Sequence, residues 1–430
     1  MTLLAALAFS LTLNAQAGSF NIERWQTSNG AQVVFHQAME VPMLDVNVAF
    51  AAGSAYDGKN FGLSALTTEL LDQGNARFDA NQIAEKLADT GAQYESETSR
   101  DMVMLHLKTL TSEDALAQAM ETFSLIITKP ALRFDAFNRE KSLLLSRITQ
   151  QQESPDEVAN IAFFSKLYKN HPYAHPINGT SQTVKMLSLN QVRNFYKQYF
   201  VGNNAYIVIV GAIDSAKAHE LAEQLVKDLP SGQHAPAIIK ATPLAAAEKA
   251  NIPYPSSQTV LRLGQIGIDH TVPDYFALMV GNYVLGGGTM VSRLADEVRE
   301  KRGLTYGVVS QFMPMPGDGP FIISLSTKNS QAVQALQITE ETIKGFLQTG
   351  ANEEELTAAK QYLTGSFPLS LASNSNIAGL LMRMMFYHLP DDYLDTYTAR
   401  IEAVTSQEIK QAFDKHIRPD AMLLITVGKA

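Results

Sequence analysis

The sequence predicts an α+β protein built from two similar domains, each a mainly antiparallel sheet packed with helices. The segments 192–211 and 409–428 both read as a helix, a polar turn and an apolar strand closed by glycine, and they lie 217 residues apart. Elsewhere, strand-like segments follow one another in pairs as often as they alternate with helices. That order favours antiparallel sheets over a doubly wound parallel sheet.

The first half shows its elements in a readable order. Strands are predicted at 31–37 and 43–52, a helix at 81–90, a strand at 100–110 and a helix at 134–151. A short amphipathic helix is predicted over Gly62–Gly74, because its leucines recur at helical spacing and Gly74 stands where a left-handed cap belongs. Residues 275–288 repeat this pattern in the second half, where Gly286 matches Gly74.

A segment rich in Pro, Ala and Ser, with little periodicity, separates the two halves at residues 228–257. We interpret it as a linker. The predicted organisation is a first domain at 18–230, a linker at 231–256 and a second domain at 257–430. Each domain has about 200 residues, which is a usual domain size.

Composition excludes several classes of function. The chain has 430 residues, with 34 Lys and Arg against 43 Asp and Glu, and its formal net charge is −9. Because no basic block interrupts this acidic balance, nucleic-acid binding is not expected. The chain contains no Cys, which excludes disulfides, thiolate metal sites and Cys nucleophiles.

The N-terminus resembles a signal peptide. An apolar run from Leu3 to Leu13 is followed by Ala15-Gln16-Ala17, so cleavage is expected after Ala17 and residues 1–17 form the signal. The positively charged start of such signals is missing. No later segment has about 18 uninterrupted apolar residues, so no membrane span is predicted. We therefore expect an exported, periplasmic protein.

Several short motifs resemble known catalytic or binding motifs but depart from them in a required feature. The sequence HELAE at 219–223 lacks the second His of a zincin, and the prolines of HPYAH at 171–175 favour a structured turn over a helix. The run Gly286, Gly287 and Gly288 lacks the Lys-Ser/Thr of a P-loop and reads as a flexible turn. No G-x-S-x-G occurs, so an α/β-hydrolase is unsupported.

One segment, SRLADEVREKRGLTYGVVSQF at 292–312, stands apart. It predicts a helix that stops at Gly303 and a strand that follows, with Arg299 in the last helical turn and Tyr306 at the start of the strand. A guanidinium and a phenol brought to one side could hold a carbonyl oxygen that becomes negative. Alternatively, Arg299 favours the helix C-terminus and Tyr306 is a core residue. Spacing alone favours this second, structural interpretation.

Over nearly the whole chain after residue 17, these segments resemble the M16 family of zinc peptidases, the inverzincins. In active members a helix of the first domain carries G-L-A-H-x-x-E-H. The stretch GLSALTTELLDQG matches it at both flanks, through Gly62-Leu63 and through Gly74. HPYAHPINGT is similar to the PYG…GT turn of that family. The resemblance implies two M16-type domains.

The resemblance also implies which positions would hold the metal. The two zinc histidines fall on Ala65 and Glu69, the catalytic Glu on Thr68, and the third ligand, a Glu, on or near Ser146. A catalytic zinc needs three protein ligands and a water. The resemblance therefore implies no metal and no cofactor in this chain, and no peptidase activity of the chain alone.

The second domain differs, because it keeps the Arg and Tyr that this family places seven residues apart, as Arg299 and Tyr306. In the family this pair binds the substrate carbonyl at a zinc site on another domain. Active members usually carry Asn-Ala near Tyr94-Glu95, on an edge strand that pairs with substrate. The different residues here put peptide binding by the first half in question.

These features imply the non-zinc subunit of a heterodimeric metalloendopeptidase. A homologous zinc-bearing M16 subunit would be the partner, zinc would belong to that partner, and a peptide would be the substrate. Two alternatives remain: a structural pseudo-peptidase, and a peptide-binding module without a catalytic partner. The retained Arg299 and Tyr306 distinguish them, because a scaffold has no need of both.

Overall fold

The computed structural model describes residues 21–429. The predicted signal peptide, residues 1–17, lies outside these residues. Within the described part of the chain, no helix is both long and apolar enough to cross a membrane.

Among the described residues, the first half contains six strands and eight α-helices. They are β1 (Ile22–Gln26), β2 (Gln32–Gln37), β3 (Met43–Phe50), α1 (Leu63–Glu69), α2 (Ala80–Asp89), β4 (Gln93–Thr98), β5 (Val103–Leu110), α3 (Glu113–Thr128), α4 (Phe134–Gln152), α5 (Pro155–Tyr168), α6 (Ser181–Met186), α7 (Leu189–Tyr199), β6 (Ala205–Gly211) and α8 (Ser215–Val226).

The second half contains five strands, six α-helices and two π-helical turns. They are β7 (Glu248–Pro253), β8 (Gln258–Ile266), α9 (Tyr275–Asn282), the π-helical turns Tyr283–Gly287 and Ala295–Glu300, β9 (Thr305–Phe312), β10 (Pro320–Lys328), α10 (Ala332–Thr349), α11 (Glu353–Ser366), α12 (Asn374–Phe386), α13 (Tyr393–Ala403), α14 (Ser406–His416) and β11 (Leu423–Gly428).

Each half forms one sheet. The strand order is β1-β2-β6-β3-β5-β4 in the first sheet and β7-β11-β8-β10-β9 in the second. Only β2–β6 and β7–β11 are parallel pairs, and every other pair in the described chain is antiparallel. The predicted α+β fold with two mainly antiparallel sheets is therefore confirmed.

The internal repeat has a direct structural counterpart. Once β1 is set aside, the two strand orders coincide, with β2, β6, β3, β5 and β4 matching β7, β11, β8, β10 and β9. The repeated sequence forms α7 and β6 in one half and α14 and β11 in the other. The closing glycines, Gly211 and Gly428, have φ of +150° and +156°. A Cβ at Gly211 would lie 2.2 Å from the carbonyl oxygen of Met43, so glycine is required there.

Each half contributes one helix that packs on the sheet of the other half. Helix α5 of the first half packs on β8 and β11 of the second sheet, and α12 of the second half packs on β3 and β6 of the first sheet. Phe163 of α5 is fully buried, and a Cβ at Gly264 of β8 would lie 2.9 Å from its ring. On the other side, the Ser375 hydroxyl of α12 donates to the buried Asp45 carboxylate at 2.6 Å. Each sheet is thus covered on one face by a helix from the other half.

The segment between the halves is packed rather than free. Within the described chain, residues 227–247 contain no helix or strand, yet Ala241 and Leu244 are buried and the Ala241 amide donates to the Gly317 carbonyl at 2.9 Å. Residues 248–253, which the sequence analysis placed in the linker, form β7 and pair with β11. The second sheet therefore begins before residue 257.

Candidate functional site

Helix α1, which the resemblance aligns with the zinc helix of active members, is fixed at its start by a buried carboxylate. Asp57 accepts hydrogen bonds from the amides of Gly62 and Ser64, both at 2.7 Å. Gly62 has φ +92°, and a Cβ there would lie 2.7 Å from the Asn178 carbonyl oxygen. Burial raises the pKa of Asp57 to about 8, against the three backbone N–H bonds that lower it. The helix start is therefore held by a group with no contact to solvent.

The end of α1 corrects one prediction. The helix ends at Glu69, and Leu70, at its C-terminal cap, keeps a right-handed conformation. Gly74 does have the predicted positive φ, +119°, but it lies beyond the helix and does not cap it. Leucines at helical spacing continued past residue 69, so the apolar pattern overstated the length of the helix.

Two of the expected metal positions face the core of the first domain. Ala65 is buried and has no donor or acceptor in its side chain. The buried Thr68 hydroxyl donates to the Ser64 carbonyl at 3.0 Å and accepts from the Thr98 hydroxyl at 2.9 Å. Its hydrogen-bonding capacity is thus used within the protein, and neither side chain is suited to bind zinc.

At the third expected metal position, on α4, the side chain that contacts α1 is one that the sequence did not identify. Arg147 of α4 forms an ion pair with Glu69, with 2.7 Å between Nη1 and Oε1. Ser146 is exposed, and its hydroxyl donates to the Ser142 carbonyl at 3.1 Å on its own helix. On α4, the residue that reaches α1 is therefore Arg147 and not Ser146.

The helical phase of α4 supports this reading. Glu140 lies seven residues before Arg147, so both occupy the same side of the helix. Glu140 is buried beside Arg139, with 3.0 Å between Oε1 and Nε, and burial raises its pKa. The nearby Glu69 carboxylate contributes to this rise in pKa.

Zinc does not fit this site. A catalytic zinc needs three protein ligands, and here the one carboxylate in place, that of Glu69, already binds a guanidinium. Across residues 21–429, no group of three or more His, Asp or Glu side chains is placed to hold a metal ion.

The second candidate pair is brought together. Arg299 lies in the π-helical turn Ala295–Glu300, and Gly303, with φ +60°, turns the chain into β9. The Arg299 guanidinium carbon lies 5.6 Å from the centre of the Tyr306 ring, and Nη1 lies 3.0 Å from Glu300 Oε1. The predicted helix, turn and strand are present, and they place both donors on one side.

Tyr306 is not a core residue. Its relative exposure is 92%, and it lies on β9, which forms an edge of the second sheet. The Arg299 side chain is 23% exposed. A tyrosine this exposed contributes little to its own domain, so the structural interpretation of Tyr306 is not supported.

The glycine run before this pair is tightly packed. Gly286 and Gly287 lie in the π-helical turn Tyr283–Gly287, and Gly288 follows as its cap. A Cβ at Gly286 would lie 2.4 Å from the Ser310 hydroxyl oxygen of β9. The run is therefore a turn pressed against β9, in contrast to the flexible turn that the sequence suggested.

The two candidate groups occupy different domains. The α1 positions lie against the first sheet, and Arg299 and Tyr306 lie beside the second. Within residues 21–429, no hydrogen bond or ion pair joins one group to the other. The strand β4, with Tyr94 and Glu95, forms an edge of the first sheet, as β9 does of the second.

The histidine motif forms the predicted structured turn. Residues Pro172–Ala174 make one turn of 3₁₀-helix between His171 and His175, both buried. His171 Nε2 lies 2.8 Å from the Ile239 carbonyl oxygen, so this turn anchors the segment between the halves. Burial lowers the pKa of His175.

Comparisons with known proteins identify the family of this chain. Residues 32–181 match the family described as insulinase (peptidase family M16), and residues 186–363 match the domain described as peptidase M16 inactive domain. The crystal structure of a peptidase M16 inactive domain from Pseudomonas fluorescens is 36% identical, with a TM-score of 0.92, and the match covers 95% of this chain and 98% of that one.

The chain belongs to peptidase family M16.

Other M16 relatives are more distant. A protein described as uncharacterized zinc protease YmxG of Bacillus subtilis (strain 168) is 25% identical over 360 residues, which cover 83% of this chain and 86% of the relative. A protein described as non-peptidase homolog YmxG of Helicobacter pylori (strain ATCC 700392 / 26695) is 23% identical over 389 residues, 89% of this chain and 88% of the relative. With its zinc positions replaced, this chain is an M16 member of the inactive type.

Proposed function

We propose that this chain is the non-zinc subunit of a two-chain M16 metalloendopeptidase. Its role is to present Arg299 and Tyr306 to a peptide held at the metal site of a homologous zinc-bearing subunit. The observation that carries the proposal is the 92% exposure of Tyr306 beside the Arg299 guanidinium on an edge strand. Tyr306 is open to a group from outside the chain, and Arg299, which is 23% exposed and paired with Glu300, lies beside it.

The chemistry of the pair suits a developing negative charge. The Tyr306 hydroxyl and the Arg299 N–H groups are donors that would bind the oxygen of the peptide carbonyl as it becomes tetrahedral. The partner's zinc would supply the activated water for the attack. Loss of one such donor typically lowers the rate by about 10²–10³.

The proposal also covers the cellular location of the protein and its assembly with a partner subunit. The signal-like N-terminus suggests a periplasmic protein, and peptides are the substrate class. The first domain would face the partner without metal chemistry of its own, because Ala65, Thr68 and Glu69 do not form a zinc site.

The test uses the complex of this chain with a zinc-bearing M16 chain from the same organism. Tyr306→Phe removes one hydroxyl and keeps the ring. We expect kcat on an extended peptide to fall at least tenfold, with complex formation and zinc content unchanged. Tyr362→Phe is the control, because Tyr362 is also exposed (56%) but stacks on Tyr283. A kcat within a factor of about two of wild type, a change below ~0.5 kcal/mol, would contradict the proposal.

A structural or peptide-binding pseudo-peptidase is the second candidate. The description of the H. pylori relative as a non-peptidase homolog favours it. It predicts that no M16 partner gains activity from this chain. Equal cleavage by the zinc-bearing chain alone and by the complex would favour this candidate.

A further inference from the structure

A cavity of about 530 Å³ lies between the two halves, away from both candidate groups described above. Its wall combines Tyr56, Asp101 and Tyr206 from the first half with His270, Phe386 and Tyr387 from the second. The packed segment between the halves closes another side through residues 234–238. Cavities at domain boundaries, mostly apolar with a few polar groups, are the usual form of small-ligand sites.

Aromatic rings form two adjoining walls of this interdomain cavity. The centres of the Tyr206 and Phe386 rings are 5.1 Å apart with an angle of 60° between planes, and those of Phe386 and Tyr387 are 5.1 Å apart at 84°. Tyr387 is further braced by His270, whose ring stacks on it at 4.1 Å. These rings give the cavity an aromatic wall, with one face of Tyr387 covered by His270, and aromatic rings attract ammonium groups.

A buried carboxylate completes the polar side of the cavity. Asp101 is 3% exposed, and its Oδ2 accepts a hydrogen bond from the Tyr387 hydroxyl at 3.2 Å, while Oδ1 accepts from Tyr173. No cationic group within residues 21–429 lies within 4 Å of this carboxylate. Buried carboxylates are normally paired with a cation.

Two of the nearby cations are already engaged, while Arg383 lines the neighbouring cavity together with His270 and Tyr387. The Arg100 guanidinium lies 3.6 Å from the centre of the Phe164 ring, and its Nε donates to the Tyr173 carbonyl at 3.1 Å. Lys240, which also lines the cavity, forms ion pairs with Asp269 and Asp318. An anionic ligand would therefore find no free cation in the wall, while a cation would find Asp101.

We infer that this interdomain cavity binds an organic cation, an ammonium or guanidinium group carried on an apolar or aromatic body. The cationic group would lie against Asp101 and the ring of Tyr387, and the apolar body against Tyr206 and Phe386. The same chemistry is found in a free amine and in a Lys or Arg side chain of a bound peptide. The site is independent of Arg299 and Tyr306, so it stands whether or not the proposed function is correct.

Calorimetric titration of the purified chain tests this inference. The probe is 2-phenylethylammonium chloride, and the matched neutral probe is 2-phenylethanol. We expect the ammonium to bind with a Kd below about 1 mM and the alcohol to bind at least tenfold more weakly. A tripeptide, acetyl-Gly-Arg-Gly-amide, distinguishes the two sources, since binding of the ammonium indicates a free amine and binding of the tripeptide indicates a peptide side chain. Binding of either cation supports the site. Failure of both cations to bind, or equal binding of the alcohol, would overturn it.

Two variants and one control locate the bound cation. Asp101→Asn removes the charge and keeps one acceptor oxygen for the tyrosine hydroxyls, while its amide NH2 donates where the second carboxylate oxygen accepted. We expect at least tenfold weaker binding. Ala237→Trp fills the mouth of the cavity from an exposed position and should also weaken binding. Glu97→Gln is the control, because Glu97 lines a neighbouring cavity of about 330 Å³ that shares His270 and Tyr387 with this one but not Asp101. Unchanged binding in the Ala237 variant, or loss of binding in the Glu97 variant alone, would overturn the assignment.

Discussion

Arg147 Nη1 lies 2.7 Å from Glu69 Oε1, so a guanidinium occupies the side of α1 at which M16 peptidases hold their zinc. Both side chains are partly exposed, at 46% and 36%. Ion pairs of this exposure stabilise a fold by about 0–1 kcal/mol. The pair therefore adds little to the stability of the domain, and it engages the one carboxylate among the expected metal positions.

This relationship predicts which substitutions would create a zinc site. The double variant Ala65→His and Glu69→His should bind no stoichiometric zinc, because Arg147 remains as a positive charge in the place of the third ligand. Addition of Arg147→Glu should give about one zinc per chain by metal analysis, since three ligands then converge. The matched control adds Ser146→Glu in place of Arg147→Glu and should stay free of zinc. Zinc in the control, and none in the first triple variant, would show that Ser146 is the correct position.

The second prediction concerns the guanidinium of the exposed pair. In the complex with a zinc-bearing subunit, Arg299→Lys should lower kcat about tenfold or more, because an ammonium lacks the planar fork that can clamp a carbonyl oxygen. Arg302→Lys is the control, since Arg302 is a neighbouring arginine that pairs with Glu297. Steady-state kinetics should separate the two variants. Equal activity of both would mean that Arg299 only stabilises its own helix turn.

Local patterns in the sequence predicted those parts of the fold that depend on residues close together in the chain. The repeat that became α7–β6 and α14–β11 was readable because an amphipathic helix, a polar turn and an apolar strand follow one another within 20 residues. β7 was missed because an edge strand that alternates partly exposed and exposed residues carries a weak apolar signal. The exchange of α5 and α12 could not be predicted, since nothing in a helix sequence states which sheet its apolar face will cover.

The candidate site, like the fold, was predictable only where it depends on a local motif. The change of residue at Ala65, Thr68 and Glu69 was visible from one short motif, whereas the third position depended on a count across about 77 residues. An error of one residue in such a count moves a side chain by 100° around a helix. The contact of Arg147 with Glu69 shows which side of α4 faces α1. The exposure of Tyr306 was equally hidden, because it depends on β9 being an edge strand.

The glycine run offers a third prediction, which concerns packing. A Cβ at Gly286 would lie 2.4 Å from the Ser310 hydroxyl and 2.7 Å from a Leu294 methyl carbon. Gly286→Ala should therefore reduce the free energy of unfolding by about 1–3 kcal/mol, measured by urea denaturation. Gly345→Ala is the control, because Gly345 lies in α10 with open space around its Cβ position. That change should be neutral or stabilise by up to about 1 kcal/mol. A stable Gly286 variant would show that the turn can shift away from β9.

The exchanged helices lead to a fourth prediction, that the two halves unfold together. Because α5 and α12 each cover the sheet of the other half, neither half keeps its core when the other is lost. Differential scanning calorimetry should show one transition, with calorimetric and van't Hoff enthalpies in agreement. Phe163→Ala should lower the midpoint of that single transition, since burial of a Phe ring contributes about 3–5 kcal/mol. Two separate transitions, only one of them shifted by Phe163→Ala, would contradict this prediction.

The last prediction concerns pH and the buried carboxylate of the interdomain cavity. Burial raises the pKa of Asp101 from 3.8 to about 6, although hydrogen bonds from Tyr173 and Tyr387 lower it. Since the folded pKa is higher than the unfolded one, the stabilisation from this group is complete below about pH 4 and is lost as the pH rises through 6. Asn does not titrate, so the free energy of unfolding of wild type, minus that of Asp101→Asn, should fall by about 2 kcal/mol between pH 4 and pH 7. Urea denaturation of both proteins at four pH values measures this difference. A difference that is constant, or that increases with pH, would mean that the Asp101 carboxylate is charged throughout this range, as it would be if the tyrosine hydroxyls outweighed the cost of burial.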